Sequence, residues 1–266
     1  MRFQYDTIGE RFVESKSTAA FSAADTHTLL GALDALGGVR GLDTLDLACG
    51  HGHNTRLLAR GGARRTVGVD ISEKMIRLAR AHGTEAGPLT AQAGAGAAAE
   101  AADADARLRA RISYVVADAA ELPRMGPFDL ATAVYLFEYA PDRAALHAMF
   151  RSIRANLRDG GRLLAIVPNP GAFPHVDWSP YGVRIVDRVP EGDVPLLKAQ
   201  FLTEPSVDFE FREWAHADFA EAAVEAGFST VGWQPSRTPP ADETRDEAYW
   251  TAYKACPVSS LMTCTA

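Results

Sequence analysis

Short apolar runs alternate along this chain with segments whose apolar residues recur every three or four positions. The runs read as strands at 43–48 (DTLDLA), 66–70 (TVGVD), 112–117 (ISYVVA), 128–134 (FDLATAV) and 161–167 (GRLLAIV). The helical period falls at 53–60, 72–82 and 142–157. In the second of these, Ser72 is placed to cap the helix, and Met75, Ile76 and Ala79 share one face. Leu146, Met149, Phe150, Ile153 and Leu157 form an apolar stripe on the third, which the glycines of RDGGR (158–162) are expected to stop. Nearly continuous apolar strands separated by helices predict an α/β fold: a mostly parallel, doubly wound sheet covered on both faces.

Several segments depart from that rhythm. Residues 5–36 read as one or two helices ahead of the first strand, an N-terminal helical cap over 1–36. Residues 83–107 are rich in Ala and Gly, with Leu89 as their one large apolar residue, so they predict a flexible surface insertion that turns helical near its end. Residues 168–213 hold prolines and aromatics without a steady period, as expected of a substrate-side cap or lid following the fifth strand. Regularity returns with a helix at 216–228 closed by Gly227, an edge strand near 229–234, and a last strand in VSSLMTC. The 266 residues suffice for one α/β domain spanning 1–266.

The formal net charge of -7 argues against a protein that tracks nucleic-acid phosphates. Three cysteines without metal-ligand spacing predict a reduced, cytoplasmic protein and no metal centre, with Cys49 as a small packing residue. No run is long and apolar enough to span a membrane, and MRFQYDTIGERF lacks the apolar stretch of a signal peptide.

The chemistry concentrates in LDLACGHGHNT, residues 45–55, where a strand carrying Asp46 runs into a turn at Gly50 and Gly52. A phosphate loop of the form GxxxxGK[ST] is excluded by the missing lysine and second glycine. A dinucleotide turn, GxGxxG, meets Thr55 where its third glycine belongs. Asp46, four residues before Gly50, would repel a pyrophosphate and attract a ligand bearing an ammonium and a sulfonium. Asp70 and Asp118 end the next two strands, so all three carboxylates are expected on one rim of the sheet. A strand-end carboxylate such as Asp70 suits a pair of ribose hydroxyls, a device that nicotinamide enzymes share.

Over about residues 40–170 these motifs resemble the class I S-adenosylmethionine-dependent methyltransferases, whose first motif is written here Asp46-Leu-Ala-Cys-Gly50-His-Gly52, with Ala48 replacing the first glycine. The resemblance implies a seven-stranded Rossmann-like sheet and S-adenosylmethionine as cofactor, with S-adenosylhomocysteine as product. It further implies that Asp46, Ala48, Gly50 and Gly52 hold the amino-acid end, Asp70 the ribose, Ile71 and Met75 the adenine ring, and Asp118 and Ala119 the adenine edge. Tyr135 would contact the cofactor ammonium. In the N-terminal segment, Tyr5 and Phe12 would shield the methionine part, with Arg11 or Lys16 meeting its carboxylate. Met75 serves equally well as helix core, Asp118 as a turn cap, and Tyr5 as a helix anchor.

Methyl transfer from a sulfonium is an in-line displacement, so a base is required only where the acceptor must lose a proton. His175 and His216 flank the irregular region and are the candidate bases, each with a surface or capping role as the plainer reading. Glu138 and Tyr139 point toward the expected opening, with a solvated loop position as the plainer reading of either, and Phe173, Trp178, Tyr181 and Trp214 are candidate walls for a planar acceptor or core of a cap. The function expected is methylation of O, N or C on a small organic acceptor of the bacterial secondary-metabolite kind. The alternatives are a cyclase-like or non-methylating protein that uses the same cofactor cradle, and an NAD(P)-dependent oxidoreductase.

Overall fold

The structure is a computed structural model, and it describes residues 4–9, 19–82 and 104–266. Phe12, Arg11, Lys16 and residues 83–103 of the expected insertion lie outside the described residues; 104–109 are helical.

Seven strands form the main sheet: β1 (Asp43–Leu47), β2 (Arg65–Asp70), β3 (Ile112–Val116), β4 (Phe128–Val134), β5 (Leu157–Pro168), β9 (Thr230–Pro235) and β10 (Ser259–Thr265). Their order is β3-β2-β1-β4-β5-β10-β9. β1 to β5 run parallel, and β10 inserts antiparallel between β5 and β9. The order reverses at β1, so a crevice opens beyond the carboxyl ends of β1 and β4.

Both faces are covered because the strands alternate two sets of apolar residues. Leu45, Leu47, Ala131, Ala133, Leu163 and Ala165 pack with α5 (Arg143–Asn156) and α6 (His216–Glu225). On the opposite face, Leu130, Leu164, Ile166 and Leu261 pack with Leu29 and Leu33 of α2 (Ala20–Ala35) and Leu58 of α3 (His53–Arg60). α4 (Glu73–Ala81) starts at Ser72, whose hydroxyl accepts the Met75 amide at 3.1 Å. α1 (Gln4–Ile8) and α2 are the described helices of the N-terminal segment.

Two expectations need correction. The glycines of RDGGR do not end α5. The helix stops at Asn156, and residues 158–162 already belong to β5, where the Gly160 amide donates to the Ala266 carbonyl at 2.8 Å. Buried Asn156 makes the stop by accepting from the amides of Met125 and Gly126 and donating to the Pro123 carbonyl.

The second correction concerns 168–213, which is not irregular. It contains β6 (Val183–Val189), β7 (Leu196–Phe201) and β8 (Val207–Arg212), a separate three-stranded antiparallel sheet. Leu197, Ala199, Phe201, Val207, Phe209 and Phe211 turn inward at alternate positions and pack with Phe21, Trp178, Tyr181, Trp250 and Tyr253. Prolines and turns between the strands break that period into pieces too short to stand out. The helix α7 (Glu247–Ala255), which carries Trp250 and Tyr253, has no counterpart in the expected elements.

Candidate functional site

The turn after β1 is held in a conformation that leaves its backbone bare. Ala48, Gly50 and Gly52 have φ of 50°, 54° and 82°. Ala48 sustains this strain because the Cys49 amide is fixed to the Val69 carbonyl at 3.0 Å and the Gly50 amide to Asp70 Oδ2 at 2.8 Å. Tyr135, just past β4, is likewise left-handed at φ 57°. The two strained residues follow neighbouring strands at the crevice.

The three strand-end carboxylates differ. Asp70 accepts the amides of Gly50 and Ser72, the latter at 2.9 Å, and burial pushes its carboxyl above the ordinary range. Asp118 caps the short 3-10 turn Ala119–Glu121 by accepting the Ala120 amide at 2.9 Å. Asp46 is buried beneath the turn, where it accepts from the Thr55 hydroxyl at 2.6 Å and the Thr132 hydroxyl at 2.8 Å. Burial pushes it up to about 6 against the pull of those two donors.

A cavity of about 1050 Å³ opens over this rim. Ala48, Gly50, Asp70, Ile71, Met75, Asp118, Ala119, Tyr135, Tyr139 and Tyr5 all line it. Asp46 does not, because its side chain turns down to Thr55 and Thr132 rather than out to the opening. Gly52 does not either: a Cβ there would run into the Tyr114 hydroxyl and Arg56, so its lack of a side chain serves the packing of the turn. The lining carries the carboxylates of Asp25, Asp70, Asp118, Glu121 and Asp142, against Arg245 as its one arginine or lysine among the described residues.

The remaining candidates are placed elsewhere. His175 is exposed and does not line the cavity. The His216 ring is half-buried, stacked on Trp233 at 3.8 Å with Nε2 3.0 Å from Asn169 Oδ1, and burial lowers its pKa. That ring is a packing piece at the start of α6, away from the cavity lining. Trp214 lies in the core of the parallel sheet, where its Nε1 donates to the Ala140 carbonyl at 3.3 Å. Trp178 and Tyr181 are buried in the core of the antiparallel sheet with Phe173 against them, none of the three on the main cavity. Glu138, 2% exposed, misses it as well and borders a smaller chamber next to it. Tyr139, in the same 3-10 turn, hydrogen-bonds through its hydroxyl to that of Tyr5.

Asp25 is the residue that motif reading missed. It lines the cavity from α2, is 4% exposed, and accepts from the Ser259 hydroxyl at 2.8 Å. Its signal was a carboxylate on a helical row that is otherwise apolar, between Phe21 and Leu29.

A family described as a methyltransferase domain matches residues 45–165, the segment that holds this rim. Those residues are similar to a methyltransferase domain. A ubiquinone biosynthesis O-methyltransferase of Xylella fastidiosa is 29% identical to the chain over 184 residues, 64% of this chain and 65% of the relative. One from Bordetella avium is 27% identical over 157 residues, 57% of this chain and 54% of the relative. The chain thus spans between about half and two thirds of the curated relatives it matches. The fold is similar to the sugar N-methyltransferase KedS8 from Streptoalloteichus, with TM-score 0.59 and 18% identity over 96% of this chain and 91% of that one. The matched stretch contains the strained turn and the acidic rim.

Proposed function

We propose that this protein transfers a methyl group from S-adenosylmethionine to a small organic acceptor. The observation that carries the reading is the cavity at the strand ends, where five carboxylates face one arginine and three histidines among the described residues and a bare, left-handed turn forms part of the wall. A pyrophosphate-bearing dinucleotide would be repelled there, whereas a ligand with an ammonium and a sulfonium is drawn in. When bound, the cofactor supplies a methyl carbon made electrophilic by its positive sulfur.

Within this reading Asp70 accepts the ribose hydroxyls, Ile71 and Met75 flank the adenine, and Asp118 with the Ala119 amide meets its edge. The backbone of Ala48 and Gly50 holds the amino-acid end. Asp46 acts one layer below, holding Thr55 and Thr132 so that the turn keeps its shape. Tyr5 and Tyr139 close the cavity on the acceptor side and exclude water. The acceptor is small because the cavity, at about 1050 Å³, has room for the cofactor and one compact molecule. The O-methylating relatives and the sugar N-methyltransferase of similar fold support an acceptor of metabolite size.

Isothermal titration with S-adenosylhomocysteine tests the cradle. Asp70→Asn is expected to weaken binding by about ten- to hundredfold, the loss of one charge-assisted pair of hydrogen bonds. Tight NAD(P) binding without affinity for S-adenosylhomocysteine would refute the reading. Turnover assays with S-adenosylmethionine and a panel of phenols, amines and enols then test transfer. Cofactor bound and consumed by none of them would favour a non-methylating, cyclase-like use of the site.

A further inference from the structure

Two arginines are buried among the described residues, and their surroundings differ. Arg212, 9% exposed, has the Glu191 carboxylate at 2.8 Å. Arg56, 8% exposed, forms no ion pair among the described residues, and its Nη1 donates to the His51 carbonyl at 2.7 Å. A buried guanidinium without a carboxylate is costly to the fold. This one sits at the glycine turn. Arg56 belongs to the first turn of α3, behind the part of the cavity wall that Gly50 and His51 line. A Cβ on Gly52 would come within 2.9 Å of its Nη1, so the guanidinium lies directly against the turn. Its charge is felt there: burial raises the pKa of the Tyr114 hydroxyl, which also abuts Gly52, and Arg56 pulls it back.

We propose that Arg56 positions the amino-acid end of the cofactor, by fixing the His51 carbonyl and by placing a positive charge behind the turn for the ligand's carboxylate. The proposal rests on the methyl-transfer reading above and adds a residue to its cofactor site. Arg56 is a positioning residue: it acts through the turn and does not itself line the cavity. The bond to its Nη1 draws the negative end of the His51 carbonyl toward the guanidinium and away from the ligand. A carboxylate arriving over the turn then meets backbone with a full positive charge behind it. Out of bulk water that attraction reaches beyond contact distance. Asp70, whose Oδ2 accepts the Gly50 amide at 2.8 Å, sets an acidic group on the same turn, and Arg56 supplies the opposite sign.

Calorimetry with three ligands separates this role from a merely structural one. They are S-adenosylhomocysteine, its decarboxylated analogue, and methylthioadenosine, which lacks the whole amino-acid end. Arg56→Gln removes the charge while keeping a donor for the His51 carbonyl, and Arg56→Met removes both. Each variant is expected to bind S-adenosylhomocysteine about tenfold more weakly than the wild type does. Affinity for the decarboxylated analogue and for methylthioadenosine is expected to stay close to the wild-type value. Arg56→Lys, which keeps the charge, is expected to restore most of the lost affinity. Equal weakening toward all three ligands overturns the proposal, because Arg56 would then only staple the turn. Unchanged affinity for S-adenosylhomocysteine in Arg56→Gln overturns it as well. If Arg56→Gln does not fold, Arg56→Met decides by the same ratios. Failure of the wild type to bind either S-adenosylhomocysteine or methylthioadenosine would instead refute the methyl-transfer reading and the proposal with it, so the two failures are distinguishable.

Discussion

Along the rim of the parallel sheet the carboxylates are tied down by polar groups: Asp46 by two threonine hydroxyls, Asp70 by the amides of Gly50 and Ser72, and Asp118 by the amide of Ala120. The antiparallel sheet presents a wall of rings instead, with Trp178 3% exposed and Phe209 stacked flat on Phe201. The rim is preorganised by hydrogen bonds, the wall by packing. Damage to the first should therefore be read in ligand affinity and pH dependence, and damage to the second in stability.

The sharpest break of that contrast is Trp178→Ala. As a buried core ring whose Nε1 also donates to the Cys256 carbonyl at 3.1 Å, it should cost about 3–5 kcal/mol in urea unfolding. A cost under 1 kcal/mol would make it a ligand wall after all. Next comes the pH response of Asp46. Its carboxyl is pushed up to about 6 from an ordinary 3.8, so the folded protein binds that proton more tightly than the unfolded chain. Its contribution is fullest below about pH 4 and is lost as pH rises to 6. Relative to Asp46→Asn, the wild type should lose roughly 3 kcal/mol across that window, by denaturant melts at each pH. His216→Ala should lower stability by about 2 kcal/mol through the lost Trp233 stack and Asn169 bond, leaving S-adenosylhomocysteine affinity unchanged by calorimetry. The smallest effect has the opposite sign. Ala48→Gly should stabilise the protein by about 1 kcal/mol in thermal melts, since glycine adopts φ of 50° without the side-chain clash.

The same contrast explains what the sequence made legible. β1, β2, β4 and the core of β5 are short, mostly apolar or β-branched segments bounded by turns, so their positions and the acidic residues near their ends follow from pattern alone. That Asp46 faces inward does not follow, because it depends on two hydroxyls, Thr55 and Thr132, brought in from a helix and a neighbouring strand. Aromatic residues such as Trp178 and Trp214 announce burial without saying against what. In VDFEF (207–211) the strand alternation was present but spanned too few residues to outweigh the prolines around it. Asp25 was the opposite case: a local anomaly on a helix face that only a search for polar residues in apolar stripes would find.

Ser259, the first residue of β10, donates its hydroxyl to Asp25 in the cavity wall, and β10 is also the strand through which β9 joins the sheet. The hydrogen bond that fixes Asp25 from this side is therefore made only when β10 is docked between its two neighbours. A ligand that bound only this closed form would favour it by mass action over any form in which β10 had left β5 and β9 as open edges. The Ser259 hydroxyl thus ties the cavity wall to the strand that carries β9.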